Sequence, residues 1–410
     1  MMLYILLQPV AEMSNGLSEN QAKARRGYFQ HIHISVRSKS GERYTYSASK
    51  QSSIADQRQK LALTRMISFF SPSIFSDGFT WIRRFFHNNT WGRMITKRFW
   101  VQIGAATLTD CGYAEHDKTK VLIPETNPFF YGTASGVLSY ETDFFQYIRS
   151  GQVRIYREDI SHLSPKTIHL ANGESLAVDA LITATGFSAK PTITFSPSTT
   201  HSDLGLPSTQ LTRPQRQFWE DLMTKASHRI APRFPRFLTA PFTHAFSTEK
   251  LHYNPGTSDK RYTPWRLYRG IAPPGPTSRG EHDLAFIGMF SNIANTIRLE
   301  LQCLWAYAYL NHALSIDAQT VFDETALVTR WAEARAPFGH GRFFPDVVFD
   351  QVPYFDTLLR DLGLRCRRKE NWFREVFEPY SQADYRSVVS EWIATQRERE
   401  DLGGDKGQVA

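Results

Sequence analysis

The run Asp179-Ala180-Leu181-Ile182-Thr183-Ala184-Thr185-Gly186-Phe187 constrains this chain more than any other stretch. Apolar residues 180–184, with β-branched members among them, read as a short buried strand. The strand stops at Thr185-Gly186, where a residue without Cβ lets the backbone turn sharply or lie against a flat ligand. Strands with this ending occur throughout α/β proteins, so the stretch sets the class and leaves the function open. A second strand-end of the same kind stands downstream: Ala285-Phe286-Ile287-Gly288-Met289, which runs almost straight into Ser291-Asn292.

Ser291 or Asn292 is placed to cap a helix. Beyond it Ile293, Ile297, Leu301, Leu304 and Ala308 recur at helical spacing, with Arg298 and Glu300 off that stripe. A strand-to-helix junction exposes free backbone N–H groups and the positive end of the helix dipole, which suits an anion. The plainer alternative is a buried helix with an ordinary cap.

At 410 residues the chain holds two domains, or three. Aromatic residues make up 13% of it, a share that fits large planar or apolar ligands and fits core filling equally well. The formal charge of +8 suits an anionic cofactor with several phosphates, and also nucleic acid. Cys111, Cys303 and Cys366 lie far apart and form no CxxC pair, which argues against a disulfide scaffold or a zinc site and for a reducing compartment. Residues 1–10 are apolar but too short to span a bilayer, and they lack the basic start of a signal peptide. The expectation is a soluble, cytoplasmic protein with no membrane partner.

Taken in order, residues 1–60 offer two strands, around Leu3-Tyr4-Ile5-Leu6-Leu7 and His31-Ile32-His33-Ile34-Ser35-Val36. Between and after them lie Lys23, Arg25, Arg26, Arg37, Lys39, Arg43 and Lys50, a solvated basic segment or cations facing phosphates. His31 and His33 share a strand face but have no third ligand nearby, so no metal site is expected. Residues 61–115 read as short aromatic helices broken by Pro72 and Asp77-Gly78, with Arg83, Arg84, Arg93, Lys97 and Arg98 between the rings. Basic and aromatic residues together can stack nucleic acid, but the spacing favours amphipathic helices packed on a domain, and no nucleic-acid partner is expected. Val101-Gln102-Ile103-Gly104-Ala105-Ala106 and Tyr131-Gly132-Thr133-Ala134-Ser135-Gly136 both fail the GxGxxG test.

From Gln152 the pattern turns to β. Residues 153–157, 160–163, 167–170 and 175–178 read as short antiparallel strands, with a hairpin at Asn172-Gly173, and they feed the strand at 180–184. Residues 190–280 are rich in Pro, Thr, Ser and Arg. They hold a candidate helix at 218–226, surface arginines Arg229, Arg233 and Arg236, and an exposed connector at Pro273-Pro274-Gly275-Pro276. A further helix is expected at 324–334, an apolar cover at 349–364, and a flexible tail at 395–410.

The two strand-ends, in this order and with a β-meander ahead of the first, resemble the flavin-containing monooxygenases, especially a fungal branch that serves small-molecule biosynthesis. The resemblance covers roughly residues 65–364, with Ala184-Thr185-Gly186-Phe187 its most specific signature. It implies an α/β fold, the remnant of a two-dinucleotide-binding-domain (FAD/NAD(P)-binding, Rossmann-like) fold with a helical insertion and an antiparallel β-meander. The division it implies is a divergent segment at 1–60, an NADPH-binding-domain remnant at 61–190, the C-terminal part of an FAD-binding domain at 191–394, and the tail. It also implies that NADPH reduces FAD and that a flavin hydroperoxide passes one oxygen to a small organic substrate, apolar or aromatic. By position, Thr185, Gly186 and Phe187 would line the interdomain hinge, and Gly288, Ser291, Asn292 and Asn295 would approach the flavin.

The family's opening strand–GxGxxG–helix unit, its second glycine-rich fingerprint and its FxGxxxH signature are not in this sequence. Those units seat the pyrophosphates, so weak FAD binding or none is expected of this chain. A non-catalytic remnant or ligand-binding protein that keeps the fold is the alternative, and nucleic-acid binding through the basic aromatic segment a more distant one.

Overall fold

The computed structural model describes residues 2–7, 32–37, 60–71, 73–76, 78–110, 112–123, 144–156, 158–183, 193, 195–235, 263–290, 292, 294–335 and 347–404, with the backbone alone at 2–7, 32–37, 107, 110, 144, 198, 199 and 400–404. Within them the chain is a mixed α/β structure of two small sheets and a helical body.

Strands β1 (Met2–Leu7), β2 (Ile32–Arg37), β3 (Val153–Tyr156) and β7 (Ala180–Thr183) form one sheet in the order β3-β2-β1-β7. β2 runs antiparallel to both β1 and β3, whereas β1 and β7 run parallel, with Leu3 opposite Ala180. Strands β4 (Ile160–Ser164), β5 (Thr167–Leu170) and β6 (Ser175–Ala177) make a separate antiparallel meander. Its second turn is the expected Asn172-Gly173 hairpin, with Gly173 at φ +90°. Ile168, Leu170 and Leu176 are the buried core of that meander.

The helices of the body are α1 (Arg65–Phe70), α2 (Thr80–Asn88), α3 (Thr90–Asp110), α4 (Arg213–Ile230), α5 (Asn295–Leu310), α6 (Val321–Arg335), α7 (Gln351–Asp361), α8 (Trp372–Phe377) and α9 (Val388–Gly404); a further helix, Phe144–Arg149, leads into β3, and shorter turns lie between. The apolar stripe of α5 is buried as its spacing requires: Ile297, Leu301, Leu304 and Ala308 face inward. They join Trp305, Tyr309, Tyr354, Phe355 and Leu358 in the largest core of the molecule. A second core ties α1, α3, α4 and α6 through Ile67, Trp100, Ala226, Ile230 and Trp331.

A buried ion network locks α1 onto this body. Arg65, fully buried, donates from Nε to Glu375 at 2.9 Å and pairs through its other nitrogens with Asp356 and the Tyr380 hydroxyl. Its two carboxylate partners outweigh the desolvation cost and hold the guanidinium firmly charged.

The structure departs from the sequence reading in several places. β7 is exposed along most of its length, not buried: it is an end strand of its sheet, and Ile182 is 42% exposed. β3 pairs with β2 instead of joining the meander, whose three strands are the lower of the three or four expected. α4 begins before the expected 218–226 because Thr212 and Gln215 form a capping box with Pro at the helix start. The Pro273-Pro274-Gly275-Pro276 segment is largely buried and forms the short helix Pro274–Ser278, with the Gly275 amide donating to Asp203 O at 2.9 Å. A Cβ at Gly275 would sit 1.8 Å from Asp203 Oδ1, so only glycine fits. Past residue 395, where the sequence suggests a tail, α9 continues to Gly404. The Val101-Gln102-Ile103-Gly104 stretch lies inside α3.

Candidate functional site

The second strand-end is extended but is not a strand. Among the described residues, 284–289 have no ladder partner. Its backbone groups bond elsewhere instead: Phe286 N donates to Ile271 O at 2.8 Å, and Gly288 N donates to the Gln302 side chain at 3.0 Å. Gly288 sits at φ +89°, in the left-handed region that glycine enters without strain. The bond to Gln302 continues as a relay. Gln302 Nε2 donates to the Tyr354 hydroxyl at 2.7 Å, and that hydroxyl donates to Arg269 O at 2.8 Å.

Burial supports this arrangement. Gln302 and Tyr354 are both fully buried, and burial raises the Tyr354 pKa well above its ordinary range, so the phenol stays protonated. Arg269 is itself fixed, donating from Nε to Asp361 at 2.7 Å, while Trp305 Nε1 donates to the same carboxylate at 2.9 Å. The extended segment is thus seated on α5 and α7.

The N-terminus of α5 is different: its polar groups are unmet. The cap residue is Ala294, with no side-chain hydrogen bond, so Asn292 does not cap the helix as expected. Asn292 is only 7% exposed, yet its Oδ1 and Nδ2 both lack a partner. Arg298, one turn into α5, is equally buried, and its Nε also lacks one. Burial pulls the Arg298 pKa below its usual value, opposed by the nearby Tyr354. An orphaned buried polar group costs about 1–3 kcal/mol. Such groups persist in folds where a ligand completes them. Positive end of a helix, carboxamide and guanidinium together suit a planar ligand edge that carries both donors and acceptors and gathers negative charge.

Of the residues singled out from sequence, Gly288, Asn292 and Asn295 fall in this neighbourhood, Asn295 as the exposed first residue of α5. Thr185, Gly186, Phe187 and Ser291 lie outside the described residues, as do the glycine loop at 131–136 and nearly all of the N-terminal basic segment. Sequence reasoning missed Gln302 and placed Arg298 off the buried face. Neither stands out in the sequence: each is a polar residue next to an apolar stripe position, a pattern that does not say what packs over it. Among the described residues no cluster of His, Cys, Asp or Glu could hold a metal ion, and no helix is long and apolar enough to cross a membrane.

Comparison with known proteins points to one group of enzymes. The chain is 31% identical over 360 residues to the FAD-dependent monooxygenase resA of Aspergillus sclerotiorum, which covers 84% of this chain and 60% of that protein. It is 30% identical over 349 residues to the FAD-dependent monooxygenase rstn6 of Aspergillus nomiae, and 28% identical over 344 residues to the FAD-dependent monooxygenase DEP4 of Fusarium langsethiae. The shares covered are 82% of this chain and 58% of rstn6, and 83% of this chain and 57% of DEP4. Over more than four fifths of its own length the chain is similar to fungal FAD-dependent monooxygenases. It spans under two thirds of the length of these monooxygenases, 57–60% for the three named. No protein-family profile and no solved structure matches it.

Proposed function

We propose that this chain carries part of the machinery of a flavin-dependent monooxygenase, with the start of α5 as its contact to FAD. The observation that carries the reading is the set of unmet polar groups on Asn292 and Arg298 beside an uncapped helix N-terminus, in a chain whose named relatives are FAD-dependent monooxygenases. FAD, when bound and reduced by NADPH, supplies the oxygen chemistry, and the substrate is a small apolar or aromatic compound. The chain's own residues hold and orient. Asn292 offers a donor and an acceptor to the ring's polar edge, Arg298 and the first-turn N–H groups favour negative charge there, and Gly288 lets the backbone lie close. Gln302 and Tyr354 keep the segment bearing Gly288 in place, and the Tyr354 proton is committed to Arg269 O.

This reading extends to the layout implied by resemblance: a nucleotide-binding part at 61–190 that includes the meander and the helical insertion, and a flavin-binding part at 191–394, in a cytoplasmic protein. FAD titration followed by flavin fluorescence tests it. Asn292→Leu removes two orphaned polar atoms, so it leaves thermal stability unchanged or raised while it weakens FAD binding by about tenfold. Equal FAD affinity in the two proteins would remove Asn292 from the site. Absence of FAD binding by the parent chain, and of NADPH consumption with added FAD, would favour the non-catalytic reading.

A further inference from the structure

The helical hairpin α2–α3 carries a feature that oxygen transfer does not use. α3 is apolar on two faces. One, with Gly92, Thr96 and Trp100, is buried in the body. The other carries Trp91 (69% exposed), Met94, Ile95 and Val101, spaced to lie on one side of the helix and open to solvent. α2 adds Trp81 (73% exposed) and, one turn on, Phe85.

These rings do not sit on a frayed end. A Cβ at Gly92 would lie 2.0 Å from Phe85 O, so the two helices cross in direct backbone contact. Thr96 Oγ1 donates to Phe86 O at 3.2 Å, and Trp100 Nε1 donates to Phe70 O at 2.9 Å. The exposed apolar surface is therefore presented on a rigid frame. Exposed patches of this kind mark interaction sites.

Charge selects the partner. Between Gly78 and Thr109 there is no Asp or Glu. Arg84, Arg93, Lys97 and Arg98 are exposed, and none has an ion-pair partner among the described residues. Arg98 lies within the apolar face itself. An open cleft of about 670 Å³, lined by Trp81, Arg84, Phe85, Asn88 and Asn89 among others, adjoins these rings. α8 packs on α1 through Val376 and Phe69, in a cluster that includes Phe79 just before α2, and adds the exposed Trp372 and Phe373.

We propose that the α2–α3 hairpin is a docking surface for a membrane leaflet rich in anionic lipid, with Trp81 and Trp91 seated among the headgroups and Arg84, Arg93, Lys97 and Arg98 paired with their phosphates. Aromatic rings at headgroup level flanked by Arg and Lys are the chemistry of interfacial association. Met94, Ile95 and Val101 have no π-face to stack on a base, which favours lipid over nucleic acid. The sequence expectation of no membrane partner rests on the lack of a spanning segment, and surface docking needs none.

The test is co-sedimentation of the full chain with vesicles of phosphatidylcholine alone, and of phosphatidylcholine with about one third phosphatidylserine. Binding is expected to the anionic vesicles, weakening as salt rises. Trp91→Ser is expected to lower partitioning by about tenfold, and the pair Arg93→Glu with Lys97→Glu to abolish the preference for phosphatidylserine. Should Trp91→Ser lower the melting temperature, the exposed charge reversals carry the decision. No binding to either vesicle, binding untouched by these substitutions, tighter binding to single-stranded RNA than to anionic vesicles, or self-association that Trp91→Ser breaks would each overturn the proposal.

Discussion

The helical body and the β-meander meet the same requirement at very different scales. In the body, α5, α6, α7 and α9 enclose one continuous core around Trp305, Tyr309 and Tyr354. In the meander, three buried side chains suffice to hold three strands. The body can therefore carry costly features, such as the buried Arg65 network and the orphaned groups at the start of α5, because its packing supplies the margin. Among the described residues the meander has no buried ion pair and no orphaned buried polar group: its one strained backbone position, Lys166 at φ +56°, is in an exposed turn, and its polar contacts, such as the stacked pair His162 and His169, lie toward its surface. Buried charges and unsatisfied groups collect where the surrounding structure is strong enough to hold them.

Four measurements test that contrast. The largest effect belongs to the body: Asp356→Ala leaves the buried Arg65 short of a partner and lowers unfolding free energy by about 3–5 kcal/mol, read by urea denaturation. A smaller shift would mean that Glu375 and Tyr380 hold the guanidinium by themselves.

Next comes Gly288→Ala. A Cβ there meets only Leu299, at 3.8 Å, so the expected cost of about 1–2 kcal/mol is conformational and comes from the left-handed backbone. A larger loss would mean the segment is less free of neighbours than the geometry shows.

Acid has a smaller effect. His282 lies stacked between Tyr309 and His312, and burial, with His312 adding to it, pulls its pKa below the ordinary value. In the unfolded chain this histidine takes up its proton first, so its contribution is complete above about pH 6.5 and is lost as pH falls from there toward the folded-state pKa. Melting temperatures between pH 7 and pH 5 should show that slope, and His282→Gln should flatten it.

The smallest effect on the main transition is expected from Leu176→Ala. It opens the meander, seen as faster amide exchange in β5 and β6, and leaves the body's unfolding midpoint in place. A shift of the main transition would join the two regions into one cooperative unit.

How much was legible in the sequence follows the same division. The α5 stripe, the Asn172-Gly173 hairpin and the strands β1 and β2 were readable because each is a local pattern with a local cause. β7 was readable as a strand, but its exposure was not, because a strand's place in the sheet depends on partners far away in the chain. The Leu284-to-Met289 run looked like a strand because its residues are apolar. Its backbone groups are taken by Ile271 and by a glutamine fourteen residues on, an arrangement no periodicity announces. The prolines at 273–276 signalled a break correctly and exposure wrongly, since Gly275 packs against Asp203. At the candidate site, the neighbourhood of Gly288 and Asn292 was legible as an apolar run leading into a helix. Arg298 and Gln302 were not, because burial of a polar side chain on a helix is set by what packs over it.

The relay from Gly288 to Arg269 has one more consequence. It begins on a main-chain N–H, which can only give a proton, and ends on a main-chain carbonyl, which can only receive one. The two side chains between them therefore have no freedom of sense: the Gln302 amide must point its oxygen at the glycine, and the Tyr354 hydroxyl must point away from the glutamine. Reversing either dipole would leave like ends facing each other at both joints. Two backbone atoms far apart in sequence thus set the handedness of the whole line, and a carboxylate at position 302, with nothing to donate to the phenol, would be the simplest way to cut it.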